Sequence, residues 1–126
     1  MKKSVVRIAA VLLLVMEIIL DAGAEPGMEH PKVALTFDDG PSSKYTPLLL
    51  DGLKDRNVHV TFFLLGKNVK QNQKLVERMH KEGHLLGNHT YNHVQLDKIS
   101  ETTAKQEILK TNNEIYEAAG IYPEYM

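Results

Sequence analysis

Two short segments carry the side chains best suited to chemistry, Thr36-Phe37-Asp38-Asp39-Gly40-Pro41 and His89-Thr90-Tyr91-Asn92-His93. Neighbouring carboxylates repel and resist desolvation, so a pair at the end of a strand calls for a metal, another cation or solvent. Alone, Asp-Asp-Gly-Pro is also ordinary turn chemistry. Two histidines four residues apart share a face in a helical turn and can meet one ion. The same spacing occurs in unrelated surface turns, and His80 and His84 have it too. Gly83 lies between that second pair and is expected to end a helix, which takes the rings off a common face and leaves them structural or solvated. Two imidazoles and one carboxylate make three protein ligands, the number with which catalytic zinc keeps a position open for water. Iron, cobalt and manganese accept the same donors. With two adjacent aspartates, one can ligate while the other takes a proton from water. The absence of cysteine excludes zinc sites built on thiolate.

Both segments follow runs that read as strands. Lys32 to Phe37 is largely apolar and stops at turn residues, the pattern of a buried strand. Val58 to Leu65 is β-branched and aromatic and ends at Gly66, and Leu85 to Asn88 reads as a short third strand. Helices are expected between and after them. Tyr45 to Asp55 carries Leu48, Leu49 and Leu53 at helical spacing, and Gln73 to Glu82 places Leu75, Val76 and Met79 on one face. Ser100 can cap a helix from Glu101 to about Ala119, with Ile108, Leu109, Ile115 and Ala119 on its apolar side and Gly120 as its stop. Alternating strands and helices predict an α/β fold with parallel strands, and the two reactive segments then sit at the carboxyl ends of their strands, where such folds build sites. A sheet of three strands is expected to want further strands at its edges.

The segments resemble signature motifs of a known family. Thr36 to Pro41 is similar to the first motif of the polysaccharide deacetylases, the NodB-homology domain of family 4 carbohydrate esterases. His89 to His93 is similar to their second motif, His-(Ser/Thr)-x-x-His. Thr61-Phe62-Phe63 with Gly66, and Gly83 to His89, resemble the stretch between the motifs. The resemblance implies that Asp38 is the catalytic base, that Asp39, His89 and His93 bind a divalent metal, zinc by preference, and that Thr90 makes a supporting hydrogen bond. It implies the first units of a distorted (β/α) barrel and a hydrolase that removes N-acetyl groups from a cell-wall polysaccharide, with peptidoglycan N-acetylglucosamine favoured over a chitin-like glycan. The family's third motif, an Arg-x-Pro-Tyr following a segment like Tyr122-Pro123-Glu124-Tyr125, has no counterpart before Met126. A truncated domain with little turnover of its own is therefore expected, and an inactive glycan-binding fragment is the alternative within the family. Outside it, the alternative is a structural α/β domain whose Asp and His clusters are turn residues.

The remaining features fit that expectation. Of 126 residues, 43% are hydrophobic and 25% charged, an ordinary globular balance, and a net charge of -1 gives no electrostatic case for nucleic acid. Lys2, Lys3 and Arg7 precede an apolar run from Ile8 to Leu20 broken by Glu17, and Ala22-Gly23-Ala24 follows. This is the order of a secretory signal peptide over 1–24, removed on export, so no lasting membrane span is expected. An uncleaved membrane anchor is the alternative, against which stand the shortness of the apolar run and Glu17. A linker over 25–31 and a partial catalytic domain over 32–126 complete the expected organisation, with a secreted or envelope-associated product.

Overall fold

The computed structural model describes residues 32–126, so the expected signal peptide and linker lie outside the described residues. Three strands, β1 (Thr36–Gly40), β2 (Thr61–Leu64) and β3 (Leu85–Asn88), form a parallel sheet in the order β1-β2-β3. Helix α1 (Thr46–Asp55) connects the first two. Two helices, α2 (Gly66–Gln71) and α3 (Gln73–Lys81), connect β2 to β3, and a 3₁₀ turn at Leu96–Lys98 precedes α4 (Glu101–Ala119). The fold is thus α/β with parallel β-α units, as expected from the sequence. Among the described residues no helix is long and apolar enough to cross a membrane.

The core lies between the sheet and its helices. Phe37, Phe62 and Leu86 stand in register across the three strands, and the rings of Phe37 and Phe62 stack at 5.6 Å. Leu50, Leu64, Val69, Val76, Met79 and Ile115 are fully buried around them. Each such side chain contributes about 1.5–3 kcal/mol relative to exposure. The opposite face of the sheet, with Thr36, Thr61 and Leu85 in register, is open or half open. Helix α4 is the common support, packing on both α2 and α3. It begins as anticipated, with the Ser100 hydroxyl accepting the Thr103 N–H at 3.2 Å, and ends at Gly120 in the left-handed conformation (φ 75°).

Several expectations need correction, beginning with the second strand, which is Thr61–Leu64 rather than Val58 to Leu65. The first strand starts at Thr36 and is not buried, Val33 and Leu35 being 89% and 47% exposed. Among the described residues β1 packs substantially only on β2, whereas β3, also at a sheet edge, is covered by α3 and α4 and has three of its four residues buried. In α1 the buried stripe is Thr46, Leu50 and Leu53, while Leu48 is exposed. Three consecutive leucines leave the helical phase ambiguous, and packing chooses it. In α4, Leu109 is likewise exposed and the buried positions are Thr111, Glu114 and Ile115. Helix α2 was not anticipated: Gly66-Lys67-Asn68-Val69-Lys70-Gln71 holds one large apolar residue, too few for a period to show.

Candidate metal centre

The first carboxylate segment is delivered by a bulge. Phe37 pairs with Phe62, but the next pair is Gly40 with Leu64, so β1 carries one residue more than β2 over this stretch. An extra residue breaks the alternation of side chains and re-aims them. Asp39 takes up the distortion, with φ at 68°. Its carbonyl accepts the Asn68 side-chain amide at 2.9 Å, which ties the bulge to α2.

The histidine segment leaves β3 as a loop rather than a helical turn, and Thr90 (φ 63°) and His93 (φ 65°) are both left-handed. Non-glycine residues there cost about 1–3 kcal/mol each, Thr90 most clearly because it is β-branched. Several hydrogen bonds offset that cost. Asn88, 2% exposed, accepts the Thr90 N–H at 2.7 Å and donates to the Ile108 carbonyl and the Asn112 side chain on α4. The Thr90 hydroxyl accepts the Val94 N–H at 3.1 Å, the supporting bond expected of this position. The N–H groups of Gly66 and Lys67, which the first turn of α2 leaves without helical partners, donate to the carbonyls of Thr90 and Tyr91. Glu107 accepts from the Tyr91 and Asn92 N–H groups. Gly66 is needed for this approach: a Cβ there would run into the Tyr91 ring and come within 2.6 Å of Thr111 Oγ1.

The two segments converge. Asp39 Oδ1 lies 3.5 Å from His89 Nε2 and 3.4 Å from His93 Nε2, and one ligand atom of each residue lies within 4.8 Å of the others. These separations exceed a direct hydrogen bond. Two ligand atoms each about 2.0–2.1 Å from one tetrahedral cation stand about 3.4 Å apart, so the donors and their spacing fit a divalent metal. The His89, His93 and Asp39 side chains are 30%, 57% and 63% exposed, which leaves the centre open to a large substrate. Among the described residues no other trio of His, Cys, Asp or Glu converges in this way.

Asp38 sits beside Asp39 in the bulge, exposed, and its carboxylate accepts no hydrogen bond among the described residues. His80 and His84 do not come together as ligands. Helix α3 ends at Lys81, Gly83 turns left-handed (φ 83°), and His84 is buried in the structural role anticipated for it. Sequence reasoning missed Asn68, Asn88 and Glu107. Asn88 has a weak signal in its place beside His89. Asn68 and Glu107 resemble ordinary polar helix residues, and nothing local marks them.

Comparison with known proteins agrees with this geometry. The model of a family described as polysaccharide deacetylase matches residues 26–126. The chain is 46% identical over 95 residues to a peptidoglycan-N-acetylglucosamine deacetylase of Bacillus cereus, covering 75% of this chain and 34% of the relative. It is 48% identical over 97 residues to the peptidoglycan-N-acetylglucosamine deacetylase PgdA of Listeria monocytogenes, covering 77% of this chain and 21% of the relative. The crystal structure of the Bc1960 peptidoglycan N-acetylglucosamine deacetylase superposes with a TM-score of 0.73 at 45% identity, over 78% of this chain and 46% of that one. The chain therefore spans about a fifth to a third of the length of the two curated relatives.

Proposed function

This chain belongs to the polysaccharide deacetylase family, and on that premise we propose that it forms the metal-binding part of a hydrolase that deacetylates peptidoglycan N-acetylglucosamine. The observation that carries the reading is the convergence of Asp39, His89 and His93 at ion-bridging separations beside the exposed Asp38. The likeness to two peptidoglycan deacetylases supports the choice of glycan. The basic, apolar and small-residue order of 1–24 supports export to where that glycan lies.

In this reading Asp39, His89 and His93 hold the cation, zinc by preference. A divalent cation supplies a charge that polarises an amide carbonyl and acidifies water. Asp38 accepts a proton from water as its oxygen adds to the acetamide carbon. The carbon–nitrogen bond then breaks, acetate leaves, and the proton ends on the sugar nitrogen. The exposure of Asp38 keeps its carboxylate free for that transfer, while the bulge keeps it next to the ligand.

The test is a graft. Residues 26–126 replace the matching segment of the Bacillus cereus relative, and acetate release from peptidoglycan is measured with and without chelator. Release is expected, and loss with chelator, with Asp38→Asn and with His93→Ala. A folded, metal-loaded graft that releases no acetate would sink the deacetylase reading.

A further inference from the structure

We propose that Glu107 is the positioning residue of the metal centre, holding the span between His89 and His93 in the one backbone conformation that lets both rings face Asp39. This rests on reading Asp39, His89 and His93 as ligands. Only Thr90, Tyr91 and Asn92 separate the two histidines. Glu107 Oε2 accepts the N–H of Tyr91 at 2.9 Å and that of Asn92 at 2.7 Å, and Oε1 accepts the Asn92 side-chain amide at 2.7 Å. One carboxylate thus takes three donors from the middle of a loop whose start is already held by Asn88. Two successive N–H groups aimed at one anion define the backbone between them, as in anion-binding nests.

Glu107 is well placed to impose that geometry. It lies inside α4, where the Thr111 hydroxyl donates to its carbonyl at 3.0 Å, and the Lys110 ammonium, three residues on from Glu107, stands 3.5 Å from the centre of the Tyr91 ring. Glu107 is not among the convergent ligand atoms, so its action on an ion passes through the backbone. Without it, two loop N–H groups would turn to water, and the left-handed Thr90 and His93 would be free to relax towards ordinary conformations. Relaxation at His93 swings its ring away from Asp39. The cost then appears as lost metal affinity, over and above any lost stability.

Hydrogen-bond geometry can be separated from charge. Glutamine at 107 keeps a carbonyl oxygen for the two backbone donors, and a flipped Asn92 amide can accept from its NH₂ group. Aspartate keeps the charge but falls one methylene short. The experiment is titration of the full chain with Co²⁺, followed by its visible absorption, alongside circular dichroism to show that each variant is folded. Glu107→Ala and Glu107→Asp are expected to lose roughly 10- to 100-fold in affinity, the usual effect of losing an outer partner of a ligand. Glu107→Gln stays near the wild-type value. Should Glu107→Ala fail to fold, Glu107→Asp and Glu107→Gln decide. Wild-type affinity in a folded Asp or Ala variant overturns the proposal and leaves the metal centre standing. A Gln variant that loses its Co²⁺ while the wild type keeps it also overturns the proposal, because charge rather than geometry would then be at work. If the wild-type chain takes no Co²⁺, the metal-centre reading itself falls, and this proposal with it.

Discussion

His89 and His93 follow β3, His80 and His84 precede it, and both pairs are spaced four residues apart, yet only the first pair points its nitrogens at a common partner. In the second pair the helix ends between the two residues. His80 stays exposed on α3, and His84 turns under the sheet, 4% exposed, with its ring edge-on to Phe62 at 5.3 Å. Its Nδ1 accepts the Val60 N–H at 3.3 Å, so in the neutral ring Nε2 carries the proton and is not available as a ligand. Spacing alone therefore says little. A ligand pair needs a third donor in reach and ring nitrogens left without a proton or a structural task.

The sharpest way to break the contrast is to delete one histidine from each pair. His93→Ala should weaken Co²⁺ or Zn²⁺ binding by more than the roughly 100-fold that loss of an outer partner can cost. His80→Ala should leave it unchanged, and calorimetric titration of both variants measures the difference. Equal effects would mean that neither pair is special. Next in size is Gly66→Ala, whose methyl group would collide with Tyr91 and Thr111. Overpacking of this kind costs about 1–3 kcal/mol, and the displaced loop should carry metal affinity down with the melting temperature. Gly83→Ala tests the other end of β3. A left-handed alanine costs about 1–2 kcal/mol, and its methyl group would also press on the His59 ring at 3.0 Å, so the melting temperature should fall. Metal affinity should not follow, because no ligand depends on that turn.

The smallest effect expected is a pH dependence that belongs to His84. Burial pushes its imidazole below the ordinary value, with Glu82 pulling the other way and His59 and Arg78 adding to the depression. The unfolded chain then binds the proton more readily than the folded one. Stability is complete above the ordinary imidazole pKa of about 6.5 and declines as pH falls below it towards the folded value. His84→Asn keeps an acceptor for Val60 but cannot take up a proton, so its melting temperature should fall less between pH 7 and pH 5 than that of the wild type. Parallel curves for the two proteins would show that His84 is not the group responsible.

Much of this architecture was legible in the residues. Parallel β-α units, the third strand at Leu85–Asn88, the Ser100 cap and the Gly120 stop all follow from local pattern, because period and capping chemistry act over a few residues. The first strand was misjudged for the opposite reason. Apolar composition reports a wish for burial, while burial itself depends on which strand the helices cover, here β3 and not β1. Helix α2 escaped notice because six residues with a single large apolar one show no period, although that helix joins the two halves of the site.

Residue type and position along the chain were enough to nominate Asp38, Asp39, His89 and His93, since an aspartate pair and a histidine pair at strand ends have few other uses together. The tertiary structure decided which histidine pair converges with a carboxylate, and how. It rotates Asp39, Thr90 and His93 into left-handed backbone, sets Asn68 and Glu107 against the two loops, and so brings atoms fifty residues apart in sequence within 3.5 Å. No local pattern encodes that outcome, because ligand convergence depends on the dihedral angles of particular loop residues and on partners from distant helices.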